Sequence, residues 1–158
     1  MSHPTPSQTV GPFFGIGMPF EGGAEAADPA DPAAIRIEGQ VLDGAGEPVT
    51  GAILEAWEGG QFARCATDPE GHYHFLLRSP AARAGAAAHF ELNIFGRGLL
   101  RHLATRIYFA GEPSNDGDPV LQRVEEARRA TLIADRQGPS HRFDIRLQGE
   151  GETVFFEL

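Results

Sequence analysis

The sequence is short of several things, and each shortage narrows the field. One cysteine, Cys65, stands in 158 residues, so no internal disulfide can form, and the chain suits a reducing compartment, the cytoplasm. Basic side chains number 13 against 22 acidic ones, for a formal charge of −9. That balance repels a phosphate backbone and disfavours nucleic acid as a partner. No apolar run reaches the ~20 residues that a membrane-spanning helix needs. The opening "MSHPTPSQTVGPFFGIGMPF" has neither the basic start nor the continuous apolar stretch of a secretory signal. The glycines of "GIGMPFEGG" follow no strand and lead into no G-K-[ST], so they make no phosphate loop. Ser7 and Ser114 lack a nucleophile-elbow context, and Cys65 has no activating motif and reads as a packing residue. No internal repeat is present, and tyrosines number just two, Tyr73 and Tyr108.

What is present describes a folded, turn-rich chain. Hydrophobic residues make up 41% and charged residues 22%, a globular balance, and the length is that of one ordinary domain. Twenty glycines and twelve prolines favour many turns between short strands. Residues 1–34 carry no periodic segment and read as an N-terminal arm and linker. Within them "SQTVGPFFGIGMPF" is an apolar arm that must lie on this domain or on a partner, and "EGGAEAADPADPAA" is a flexible link. Residues 35–158 read as the domain proper. "IRIEGQVLD", "PVTGAILEAWE", "QFARCATD", "HYHFLLR", "HFELNIF", "LLRHLATRIYF", "RFDIRLQ" and "TVFFEL" alternate or run apolar between Gly/Pro turns, as strands do, the last two pairing across "GEGE". One short helix is predicted near 118–134, with Asp118 as its cap, Pro119 in its first turn and Val120, Val124 and Ala127 at helical spacing. The expected class is all-β, a β-sandwich of about seven to eight short strands with an extended N-terminal arm.

Six histidines invite a metal reading: His3, His72, His74, His89, His102 and His141. Residues two apart on a strand share a face, so His72 and His74 pair in "GHYHF" and His89 pairs with Glu91 in "HFELNIF". For the first pair, Tyr73 and Phe75 take the core, which leaves both histidines to solvent. For the second, Phe90, Leu92 and Ile94 take one face; His89, Glu91, Asn93 and Phe95 take the other. A 2-His-1-carboxylate site there would need His102 as its third ligand, and a plain solvent or interface face explains the same residues.

Several segments together resemble the intradiol ring-cleaving dioxygenases, over nearly the whole chain. "GQVLDGAGEPVTGAILEAW" is similar to that family's opening strand pair, ending at Trp57, and "TDPEGHYHF" to its T-D-x-x-G-x-Y-x-F strand. "AHFELNIFGRGLLRHLATRIYFAGEP" resembles the strand that bears the metal histidines, with its partner strand. "SQTVGPFF" and "RFDIRLQGEGETVFFEL" resemble, in particular, the alpha subunits of two-subunit members. Family members that hold iron use two tyrosines and an H-x-H. Here the matching positions are His89 and Glu91, while Tyr73 and Tyr108 match other family positions. The stretch from Trp57 to Cys65 is too brief for the loop bearing the first tyrosine, and "SPAARAGAAA" lacks the second.

The resemblance therefore implies a chain with no cofactor of its own, His89 and Glu91 being degenerate ligand positions. It implies a homologous beta subunit that carries Fe3+, alpha-beta pairs in a higher oligomer, and protocatechuate with O2 as substrates. It further implies that the arm and one arginine wall the partner's substrate cleft: residue by residue, Thr9, Gly11, Pro12 and Arg97. A guanidinium at a turn suits an anionic aromatic acid, since it pairs with carboxylate through two parallel hydrogen bonds. Two other readings stay open: an independent metalloenzyme using His89, Glu91 and His102, and a stand-alone β-sandwich binding module.

Overall fold

Period-two alternation decides which side of each strand is inside. In β4 (His72–Arg78) Tyr73, Phe75 and Leu77 are buried, and in β5 (His89–Phe95) Phe90, Leu92 and Ile94 are. The same alternation buries Ile37, Gly39 and Val41 of β1 (Ala34–Leu42). β2 (Ile53–Glu58) is buried without alternation from Ile53 to Ala56, as a strand with neighbours on both edges and both faces must be. The computed structural model, which describes residues 4–157, completes the set with β3 (Gln61–Ala66), β6 (Leu103–Phe109), β7 (Ile133–Gln137), β8 (Ser140–Arg142) and β9 (Ile145–Arg146).

These strands form one sheet that curls into two layers, in the order β3-β2-β5-β6-β7-β8-β1-β4, with β9 on β1. β7 is the hinge of the curl. Its first two residues run parallel to Tyr108 and Phe109 of β6, and its last three pair antiparallel with β8. Between the layers lies a core of Ile37, Phe75, Leu77, Phe90, Leu92, Ile94, Ile107, Phe143 and Ile145. Each large side chain withdrawn from water there contributes about 1.5–3 kcal/mol. A smaller cluster of Ala87, Tyr108, Leu121 and Leu132 packs on the outer face of β6, with Val124, Val154 and Phe156 at its margin. Gly39 is dictated by the close approach of the link between β8 and β9, which runs beside β1. A Cβ there would lie 1.8 Å from the Phe143 carbonyl oxygen, the atom to which the buried Tyr73 hydroxyl donates at 2.6 Å.

The sandwich is as expected; three connections are not. The expected helix is broken. Leu121–Arg123 is a 3₁₀ turn, Val124 is extended, α2 covers Glu126–Arg129 alone, and Ala130–Leu132 is 3₁₀ again (α1 is the single turn Phe14–Gly17 in the arm). Leu121 and Leu132 both join the Tyr108 cluster, whereas a straight helix would set them about 16 Å apart along its axis at ~1.5 Å per residue. Arg129 compensates by donating to the carbonyls of Val124 and Gln122 that the break leaves open. Ile133 and Ala134, the end of the expected helix, are already β7. The chain end is no hairpin: β9 runs parallel to β1, and Phe156 bridges to Ala104 instead. The stretch read as a flexible link lies along β4, with Ala26 N–H donating to Leu76 O and Leu76 N–H to Ala24 O, and Asp31 holding Arg78 at 2.7 Å.

Candidate functional site

The candidate residues collect at the two ends of β5. At its start, His89, Glu91 and Asn93 share one face and line an open cleft of about 480 Å³ with Trp57, Glu58, Arg83 and Ala87. Trp57 lies opposite Glu91 in the β2–β5 ladder and is 43% exposed, its indole tilted against the Phe62 ring at 4.4 Å. Arg83 reaches across the cleft mouth to Glu58 at 2.5 Å. The His89 ring lies 5.2 Å from that of Tyr108, its cross-strand neighbour, and its Nδ1 is 2.7 Å from the Ala87 carbonyl. A carbonyl only accepts, so Nδ1 carries the proton in the neutral ring and Nε2 is left as an acceptor.

Behind His89 sits a carboxylate that sequence reading valued as a helix cap alone. Asp118, 1% exposed, accepts from the N–H groups of Ala87 (2.9 Å), Val120 (2.9 Å) and Leu121 (2.8 Å) and from the Tyr108 hydroxyl (3.1 Å). Burial pushes its carboxyl up, but the Leu121 and Ala87 amides, with Tyr108 and Val120, outweigh that and hold it below the ordinary carboxylate value. Burial pushes the Tyr108 phenol up, against the pull of Arg106, which donates to its oxygen at 3.3 Å. Arg106 also reaches Glu91 at 3.4 Å. This end is thus a run of linked groups: amide, carboxylate, phenol, guanidinium and, at its exposed rim, the Glu91 carboxylate. The signal for it in sequence was faint, since Ala87 and Asp118 are 31 residues apart.

At the other end of β5 the chain turns through Gly96–Leu99, with Leu99 N–H donating to Gly96 O at 3.3 Å and Gly98 at φ +93°. That left-handed value at the third turn position is one glycine takes readily. Arg97, the second turn residue, is exposed. The arm comes to this turn. Thr9 Oγ1 accepts from Gly98 N–H at 2.7 Å, and the Phe14 ring lies 6.3 Å from that of Phe95. Of the four residues named from sequence, Thr9 thus meets the turn that bears Arg97, and Gly11 and Pro12 lie between the two contacts in sequence. Beyond them the arm is anchored by Arg64. Its guanidinium bonds Glu55 at 2.5 Å and the Met18 carbonyl at 3.0 Å and faces the Phe20 ring. Yet Phe13, Ile16 and Leu100 around the turn remain 79%, 77% and 61% exposed.

His102 does not join His89 and Glu91. It stacks on Phe95 at 5.3 Å, six residues along β5 from His89, about 20 Å at ~3.3 Å per residue. The three-ligand site with His102 is therefore geometrically closed. His72 is exposed beside Asp68 and His74 is half-buried, with Tyr73 and Phe75 inward as expected. His3 lies outside the described residues. Cys65 is half-buried, its thiol pushed up by burial, which suits packing and not nucleophilic attack.

No family model matches the chain. Individual proteins do. In fold it is similar to the dioxygenase domain of a dioxygenase–carbohydrate-binding protein fusion from Streptomyces sp. SirexAA-E (TM-score 0.66, 21% identity, covering 92% of this chain and 99% of that one). In sequence it is 36% identical to the protocatechuate 3,4-dioxygenase alpha chain of Burkholderia cepacia over 191 aligned positions, covering 98% of this chain and 97% of that protein. It is 30% identical to the beta chain of the same organism's enzyme, over 78% of this chain and 62% of that one. The curled all-β fold is that of the intradiol ring-cleavage dioxygenases. Within that class, the chain belongs to the protocatechuate 3,4-dioxygenase alpha-chain family. An alignment of 191 positions on 158 residues also means that the relative has loops this chain lacks.

Iron is the metal of this family, and the side chains here do not fit it. A tyrosinate ligand must be deprotonated and free to point at the ion. Tyr73 is spent as a donor to Phe143 O in the core, its phenol pushed well up by burial, and Tyr108 donates to Asp118. Among the described residues no three His, Cys, Asp or Glu side chains converge as a metal site.

Proposed function

We propose that this chain is a non-catalytic alpha subunit of a cytoplasmic protocatechuate 3,4-dioxygenase, walling the substrate pocket of a homologous beta subunit that carries Fe3+. The assembled enzyme would insert both atoms of O2 into protocatechuate, cleaving between its hydroxyls to give 3-carboxy-cis,cis-muconate. The observation that carries this reading is the state of the two tyrosines. In a chain aligned end to end with a dioxygenase subunit, both phenols are committed as hydrogen-bond donors, and neither is available to a ferric ion.

The wall assigned to this chain is the exposed lip of arm and turn. Arg97 supplies a guanidinium that can pair with the substrate carboxylate through two parallel bonds. Thr9, Gly11 and Pro12 shape the surface beside it, and the exposed Phe13, Ile16 and Leu100 supply apolar area of the kind an obligate partner covers. The test is reconstitution. Expressed alone, the chain is expected to hold no stoichiometric iron, show no visible tyrosinate-to-iron absorption and turn over no protocatechuate. Expressed with a longer homologous chain bearing the H-x-H and both tyrosines, it is expected to co-purify as an active, coloured heteromer. Stoichiometric iron and turnover in the lone chain would overturn the reading.

A further inference from the structure

We infer that Thr9 works as a positioning residue: its hydroxyl fixes the Gly96–Leu99 turn, and through that turn the Arg97 guanidinium, instead of meeting the substrate itself. The inference deepens the proposed function and rests on its placement of Arg97 at the pocket. Its ground is the hydrogen bond from Gly98 N–H to Thr9 Oγ1 at 2.7 Å, between groups 89 residues apart.

The turn needs that bond. Within Gly96–Leu99 the Leu99 N–H is taken by Gly96 O, but the N–H of the third residue points out of the turn and has no acceptor inside it. Gly98 adds no side chain, and nothing lies within 4 Å of where a Cβ would be, so packing does not hold this residue in place. The Thr9 hydroxyl is therefore the restraint on the peptide that joins Arg97 to Gly98. The arm depends on the same bond. Among the described residues, it is the one hydrogen bond joining residues 4–13 to the sandwich; the Phe14 ring on Phe95 supplies the second contact. Two contacts to one stretch, β5 and its turn, hold Gly11 and Pro12 between them. Arm and turn are thereby tied together, with the Arg97 backbone between them, and a β-branched hydroxyl residue with few rotamers suits the task.

The experiment is a double-mutant cycle in the assembled, iron-loaded heteromer, with amide exchange at Gly98 as a readout independent of turnover. Thr9→Val keeps the shape and removes the acceptor; Thr9→Ser keeps the acceptor. Thr9→Val is expected to speed exchange at Gly98 and raise KM for protocatechuate about three- to tenfold, the scale of one neutral hydrogen bond, with kcat within about twofold and iron content unchanged. Thr9→Ser is expected to restore both readouts. On an Arg97→Ala background, Thr9→Val should add nothing further to KM. Additive losses would mean direct contact, and a Thr9→Ser variant as impaired as Thr9→Val would mean that the methyl and not the hydroxyl matters; either would overturn the inference while leaving the proposed function standing. Unaltered Gly98 exchange in Thr9→Val would overturn it as well. Should Arg97→Ala leave KM unchanged, the placement of Arg97 at the pocket falls first, and the positioning role with it.

Discussion

The two ends of β5 are built on opposite plans. At the His89 end, polar groups turn inward on one another: Ala87, Tyr108, Val120 and Leu121 all donate to Asp118, Arg106 donates to Tyr108 and Glu91, and His89 donates to Ala87 O. At the Phe95 end, a guanidinium and three large apolar side chains face outward with little of their own chain to cover them. A buried polar group left without a partner costs about 1–3 kcal/mol, and the buried groups at the first end, Asp118 above all, have their hydrogen bonds made within the chain. The second end is held by little more than the Thr9–Gly98 bond and the Phe14–Phe95 contact, and it leaves its surface exposed. On one strand of one chain, the polar groups around Tyr108 bond one another, while the distal turn presents exposed side chains.

Breaking the closed end should produce the largest change. Asp118→Ala would strip an acceptor from three amides and a phenol at once and is expected to cost about 3 kcal/mol in urea unfolding. Asp118→Asn should cost less at neutral pH and change the acid limb. The folded carboxyl lies below the ordinary value, so its contribution is complete above about pH 4 and is lost as pH falls through the lower folded value. The Asn variant should lack that decline, and an acid limb unchanged from the parent would remove Asp118 from the account. At the open end, Arg97→Ala is expected to leave unfolding of the chain within about 0.5 kcal/mol. It should raise KM for protocatechuate about tenfold in the heteromer, as loss of a charge-assisted bond does, without loss of iron. A chain destabilised by this change would erase the contrast between the ends. Tyr108→Phe sharpens the picture of the Asp118 end: loss of one donor to Asp118 should cost about 1 kcal/mol. The smallest effect is expected at the rim of that end. Glu91 is 63% exposed and 3.4 Å from Arg106, so Glu91→Gln should shift stability by less than about 0.5 kcal/mol.

Legibility from sequence followed the range of the interactions. Strand faces were readable because alternation is local: the burial of Phe90, Leu92 and Ile94 and of Tyr73, Phe75 and Leu77 follows from period two alone. The stretch from Asp118 to Ala134 misled because its local signal is truly helical, with Val120, Val124 and Ala127 spaced for one face. What broke the helix was the need for Leu121 and Leu132 to reach one pocket beside Tyr108, a requirement no window of that length contains. The cleft at Trp57, Arg83 and His89 was hidden for the same reason, its walls coming from β2, the connector before β5, and β5 itself.

Sequence alone determined the layered β architecture, the family and the shortage of phenolate donors, since alternation, motif and count need no coordinates. Tertiary structure decided what the remaining polar groups do. Only the fold shows both tyrosine hydroxyls donating within the chain, His102 far from His89, and Thr9 beside Gly98 across 89 residues. Hydrogen bonds act over about 3 Å, and which atoms come that close is settled by the curl of the sheet.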